Sequence, residues 1–156
     1  MIRRVLIGIG GYSEEAENLL MGTAAQESAL GEYIRQLGNG PALGIFQMEP
    51  ETFDDIVRNY LSYRPDLCRK VLIVSGVINL KSEYLEYNLA LAISMTRMHY
   101  ARVREKIPSD LTGWAGYWKR FYNTPQGKGT EEELNNTCYR YGNIRYKEFS
   151  GSWRVG

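Results

Sequence analysis

From Ser82 to about Arg104 the sequence reads as one long helix that is apolar on more than one side. Leu85, Leu89, Ala92 and Thr96 make one stripe, and Leu91, Met95 and Met98 make another. A helix that is apolar nearly all round has to be buried. The segment is therefore expected at the centre of the fold, capped by Ser82, with the rest of the chain wrapped about it.

The flanking segments suit that role. Ser13 can cap a helix whose first turn carries Glu14 and Glu15, where carboxylates favour the helix dipole. That helix runs through Ala16, Leu19, Leu20, Ala24 and Glu27 and is expected to stop near Gly31, a residue type suited to the C′ position. Leu37–Gly44 holds three Gly and one Pro in eight residues, which excludes a helix interior. Ile45-Phe46-Gln47 reads as a short extended piece. Pro50 opens a second helix, with Phe53, Ile56, Val57, Tyr60 and Leu61 at i, i+3, i+4, i+7 and i+8. A third covers about Asp66 to Val74. Ser109 is expected to cap another, with Leu111, Trp114, Ala115, Trp118 and Tyr122 at helical spacing. Thr130-Glu131-Glu132-Glu133 fits a capping box for a last helix ending at Gly142. Residues 143–156 have mixed polarity and no period, and read as a tail. The expectation is a mainly α domain over residues 1–142 with a C-terminal tail over 143–156.

A chain of 156 residues buries roughly 68–70% of the surface it exposes when unfolded, so it needs no metal or disulfide to hold it together. Lys plus Arg is 19 and Asp plus Glu is 18. With no global basic field, nucleic acid is not an expected partner. One His and two Cys exclude a four-ligand zinc finger. Cys68 and Cys138 lie far apart, form no CxxC, and read as buried free thiols. His99 reads as a hydrogen-bonded core residue. Tyr139, Tyr141 and Tyr146 with Arg140 and Arg145 read either as a solvated terminal surface or as a contact for a partner. No apolar run is long enough to span a membrane. The apolar part of Met1–Gly10 is short, broken by Gly, and followed by Ser13-Glu14-Glu15 without a small-x-small site. It reads as a first helix or strand on the core, not as a secretion signal.

Glu27 is the most informative residue. Leu20, Ala24 and Glu27 stand at i, i+4 and i+7, so the carboxylate falls on the apolar face. Burial and the negative end of the helix dipole would both raise its pKa, as a general acid for glycosidic cleavage requires. The alternative is a Glu at the helix edge that reaches water or an ion pair.

Glu27-Ser28 is followed, after the Gly-rich loop, by Gly44-Ile45-Phe46-Gln47-Met48-Glu49-Pro50-Glu51-Thr52. This resembles the soluble lytic transglycosylase family and its goose-type lysozyme relatives. Their hallmark is a helix ending in Glu-Ser, a Gly-rich turn, and a Gly-x-x-Gln-x-x-Pro-x-Thr segment, and Gly44, Gln47, Pro50 and Thr52 fill those places. Tyr122-Asn123-Thr124-Pro125-Gln126-Gly127 is similar to the family's Tyr-Asn-x-Gly-x-Gly segment. Where the family has Asn-Pro after Glu-Ser, this chain has Gly31-Glu32-Tyr33-Ile34-Arg35, so the cleft rim is expected to differ. The resemblance covers about Ala16 to Tyr139, and its wording looks like that of a phage-encoded subgroup.

The resemblance implies a lysozyme-like domain that cleaves the β-1,4 bond between N-acetylmuramic acid and N-acetylglucosamine in peptidoglycan, leaving 1,6-anhydro ends. Glu27 would act as acid and then base. Substrate-binding roles would fall to Ser28, Gly44, Phe46, Gln47, Tyr122 and Asn123. Four of them also have a plainer reading: Ser28 as a helix C-cap partner, Gly44 as turn chemistry, Phe46 as core, Asn123 as a bond to the turn backbone. Neither metal nor cofactor is implied. The expected partners are bacterial glycan strands and other virion proteins, and the expected place is the virion or, after lysis, the cell wall. The alternatives are a muramidase that uses water and a glycan-binding virion structural protein that does not cut. A muramidase would need a base, for which the sequence offers Glu49, Glu51, Asp54 and Asp55, about 6.5–9.5 Å from the acid in inverting geometry. All four also read as plain first-turn helix carboxylates.

Overall fold

A computed structural model describes residues 1–32, 34–35, 40–123 and 129–137. Its helices are α1 (Ile2–Ile9), α2 (Glu14–Ser28), α3 (Pro50–Ile56), α4 (Pro65–Ser75), α5 (Leu89–Ala101), α6 (Leu111–Trp118) and α7 (131–137). Wider π-type turns, Val57–Leu61 and Lys119–Asn123, extend α3 and α6. Among the described residues there is no strand, only isolated bridges, so the chain is mainly α. No helix among them is long and apolar enough to cross a membrane.

The buried segment after Ser82 is two elements, not one. Ser82–Glu86 is a 3-10 turn, and α5 begins afresh at Leu89. Asn88, not Ser82, is the cap. Its side-chain oxygen accepts from the Leu91 N–H at 2.9 Å, and its amide donates to the Ser75 carbonyl at 2.9 Å. One side chain thus ends the turn, starts α5 and ties it to the end of α4. The expectation of a central helix holds for α5. Leu91 to Thr96, Met98 and Tyr100 are buried, and α5 touches α1, α2, α3, α4 and the Ser82–Glu86 and Lys119–Asn123 turns.

The first residues are a helix packed on that core, with Val5, Leu6 and Ile9 facing inward. Arg3 on α1 pairs with the buried Glu17 of α2, Nε to Oε2 at 2.9 Å. Ser13 caps α2, accepting from the Ala16 N–H at 3.1 Å. α2 ends at Ser28, before the expected Gly31. Ala29 and Leu30 turn the chain with φ of 50° and 61°, a left-handed conformation that costs roughly 1–3 kcal/mol for each non-glycine residue. It is held because the N–H groups of Ala29 and Leu30 satisfy the Ala25 and Ala24 carbonyls, each at 3.1 Å. Last-turn carbonyls lack an intrahelical partner, and these bonds supply one.

Ile45-Phe46-Gln47 is not extended. Residues 44–47 form a tight turn between Leu43 and Met48, whose backbones exchange hydrogen bonds of 3.0 and 3.1 Å. Gly44 has φ of 73°, and a Cβ there would lie 2.1 Å from the Leu85 carbonyl oxygen. Only glycine lets the turn press against the Ser82–Glu86 segment.

Asp110, not Ser109, caps α6, accepting from the Gly113 N–H at 2.8 Å. The expected capping box opens α7: Thr130 N–H donates to Glu133 Oε2 at 2.7 Å, and Glu133 N–H donates to Thr130 Oγ1 at 3.2 Å. Cys68 is a half-buried free thiol. Cys138, the tyrosine–arginine group, Gly142, the tail over 143–156 and part of the loop over 37–44 lie outside the described residues.

Candidate active site around Glu27

Glu27 sits one residue before the end of α2, where the chain leaves the helix through the left-handed pair. Its side chain is half-buried, and burial pushes its pKa up to about 7. One interaction opposes the shift. The indole N–H of Trp118 donates to Glu27 Oε1 at 2.9 Å and favours the ionised form. The desolvation expected from the helical period is therefore present. The carboxyl titrates near neutrality, with one oxygen fixed by an N–H donor.

Trp118 was not legible as a site residue. It is fully buried at the end of α6, and its spacing marks it only as core. Gly129 packs on it: a Cβ there would come within 2.6 Å of the indole. Four residues on, Tyr122 donates its hydroxyl to the Phe46 carbonyl at 2.8 Å, linking the Lys119–Asn123 turn to the Gly44–Met48 turn. Burial first, and then the negative charge of Glu27, hold the Tyr122 phenol far above its ordinary pKa. The hydroxyl thus stays a donor. Tyr100 of α5 packs against Tyr122 with ring centroids 5.4 Å apart and shares a 2.8 Å hydrogen bond with Thr23 of α2. Thr96 lies beside Tyr122, and its side chain opposes the rise in the Tyr122 pKa.

The other expected site residues fall into two groups. Phe46, expected to face a sugar, is 1% exposed, so its ring is core and only its carbonyl serves the site. A turn at 44–47, in place of an extended piece, points the ring inward. Ser28 is likewise buried. Its hydroxyl lies 2.6 Å from the Ile45 carbonyl and 3.1 Å from that of Ala24, and accepts from the Gly31 N–H at 2.9 Å. The geometry favours the C-cap reading, with the added effect of docking the Gly44–Met48 turn onto the end of α2. Gly44 is buried against Leu85, the turn-chemistry reading. Gln47, half-exposed and with φ of 47°, reaches back to donate to the Gly44 carbonyl at 2.9 Å. Asn123 Oδ1 accepts from Lys119 Nζ at 2.7 Å.

Of the four acids offered as a hydrolytic base, Glu49, Glu51 and Asp54 are exposed around the start of α3. Asp55 is engaged: Asn59 and then Arg102 hold its carboxyl below the ordinary range. Among the described residues no group of three or more His, Cys, Asp or Glu could hold a metal ion.

The chain matches no family model, and neither a curated protein nor a solved structure is significantly similar to it.

Proposed function

We propose that this protein cuts the glycan strand of bacterial peptidoglycan, with Glu27 as the acid and then the base, in a lysozyme-like domain. The observation that carries the reading is the state of one carboxyl. Glu27 holds its proton to about pH 7 through burial, at the end of a helix whose next residue, Ser28, docks the Gly44–Met48 turn. Oε1 accepts the Trp118 N–H, which leaves Oε2 to carry the proton. Such a group can protonate a bridging glycosidic oxygen at neutral pH. The resemblance of the Glu27-Ser28, Gly44–Thr52 and Tyr122–Gly127 segments to lytic transglycosylases gives the substrate class.

The steps balance with one carboxyl. Glu27 passes its proton to the oxygen between N-acetylmuramic acid and N-acetylglucosamine, and the C–O bond breaks. The carboxylate then takes the proton of the muramic 6-hydroxyl, whose oxygen closes on C1 to give a 1,6-anhydro ring. A second carboxylate, as in standard glycosidases, is not needed, in keeping with the engagement of Asp55 by Arg102 and Asn59. Gln47, half-exposed in the turn beside the Glu27-Ser28 end, is the residue we assign to the sugar's acetamido group. The place of action we propose is the cell wall, reached from a virion or after lysis.

Mass spectrometry of soluble products from purified peptidoglycan, wild type beside Glu27→Gln, tests this. Anhydro-muropeptides from wild type alone are expected. Reducing ends in their place would make the protein a muramidase. Glycan binding without products, unchanged by Glu27→Gln, would make it a binding protein.

A further inference from the structure

His99 is the only histidine of the chain, and both of its ring nitrogens are engaged. Nδ1 faces Arg102 NH2 at 3.1 Å. A guanidinium can only donate, so Nδ1 accepts and the proton resides on Nε2. Nε2–H then donates to the Phe121 carbonyl at 2.6 Å. That carbonyl belongs to the last turn after α6, where helix carbonyls lack an intrahelical partner. Arg102 is in turn held by Asp55 of α3. The imidazole packs edge-on against Tyr122, with ring centroids 5.1 Å apart, and against Tyr100 at 5.9 Å. Two of its contacts thus fall on adjacent residues, the Phe121 backbone and the Tyr122 ring.

We propose that His99 is a positioning residue for the Glu27 site. Asp55 and Arg102 fix its Nε2–H tautomer, and that N–H holds the Phe121 carbonyl so that Tyr122 keeps its place in the wall around the carboxyl.

The groups that face the ring favour the neutral imidazole on which the link depends. Burial and the Arg102 charge both oppose protonation, whereas the Phe121 carbonyl and Asp55 favour it, and the balance holds the imidazole below its ordinary pKa. Tyr100 and Tyr122 stay neutral beside it. A protonated Nδ1 would point an N–H at the guanidinium and break the chain of bonds at its middle.

The kinetic part of this inference rests on the proposed function, and the spectroscopic part does not. In wild type, the nitrogen-15 shifts of the single imidazole are expected to show Nε2–H and a bare Nδ1 at neutral pH. The opposite tautomer overturns the proposal without any variant. His99→Phe keeps a ring but neither nitrogen. It is expected to lower kcat on purified peptidoglycan about 100-fold, the size of effect a small misplacement produces, with KM within about twofold. It also brings the Glu27 titration, read by carbon-13 NMR, down from about 7 as water enters. His99→Gln can donate to Phe121 and accept from Arg102, and is expected to recover most of both quantities. Should His99→Phe not fold, Arg102→Met makes the same test by freeing the tautomer, with a mixed nitrogen-15 pattern and a smaller downward shift of Glu27 expected. An unmoved Glu27 titration in these variants, or a His99→Gln no better than His99→Phe, overturns the proposal. A wild type that cuts no peptidoglycan refutes the proposed function, and the nitrogen and carbon titrations still decide the role of His99.

Discussion

Trp118 and Glu27 are 91 residues apart in sequence and joined by a 2.9 Å hydrogen bond, indole N–H to Oε1. Burial raises the carboxyl's pKa and this bond restrains the rise. Trp118→Phe removes the restraint and keeps an aromatic ring. The Glu27 pKa is expected to climb further, by about one unit, since a hydrogen bond to a charged group contributes roughly 1.5–3 kcal/mol. Carbon-13 titration of the carboxyl reads the shift directly, and a fall would mean that water had entered instead.

Glu27 also makes stability depend on pH in an unusual sense for a carboxylate. The folded chain keeps the proton to about 7, and an unfolded glutamate loses it near 4.5. Between those values the folded state binds more protons, so stability is fully present below the lower value and lost as pH rises through the upper one. The loss is on the order of 2–3 kcal/mol, reduced by partial exposure of the side chain. Glu27→Gln cannot ionise. It is expected to be more stable than wild type at about pH 8 and equal to it at about pH 4. His99, whose lowered pKa acts in the opposite direction, contributes equally to both proteins and cancels. Urea unfolding of the pair across this range measures the difference, and parallel curves would refute the burial of the carboxyl.

The Tyr122 ring and hydroxyl separate cleanly. Tyr122→Phe loses the 2.8 Å bond to the Phe46 carbonyl, at a cost of about 1 kcal/mol. Its ring is kept, so the carboxyl titration should stay within about half a unit. Tyr122→Ala opens the wall and should lower that titration. Equal titrations in the two variants would show that the ring does not exclude water.

Gly44 and Gly76 both have left-handed backbones, φ 73° and 67°, in opposite surroundings. A Cβ at Gly44 meets the Leu85 carbonyl at 2.1 Å, whereas at Gly76 nothing lies within 4 Å. Gly76→Ala should cost only the conformational penalty, about 1 kcal/mol. Gly44→Ala must also displace backbone and should cost more than about 2 kcal/mol. Thermal melts of both variants test the ranking, and a Gly44→Ala no worse than Gly76→Ala would contradict the close approach.

What the sequence revealed follows from what periodicity can carry. Leu20, Ala24 and Glu27 share a face because helical spacing is a one-dimensional property, and the raised pKa follows from that face. The break at Asn88 was hidden because apolar residues continue on both sides of it, although Asn is itself a capping type. The end of α2 was misplaced at Gly31 because left-handed Ala29 and Leu30 are stabilised by bonds back to Ala24 and Ala25, which composition does not reveal. The substrate role of Phe46 comes from the resemblance alone, and the turn at 44–47 buries its ring in the core. Trp118 and the His99 chain lie beyond periodicity, since the first contact joins α6 to α2 and the second joins α3, α5 and the Lys119–Asn123 turn.

Trp118 closes the interior of the protein and also holds the carboxyl, and Tyr122 stands between the same two regions. Core and site therefore share a wall. Any drift that loosens the packing at α6 changes the acidity of Glu27 in the same step, so the carboxyl and the interior cannot diverge independently.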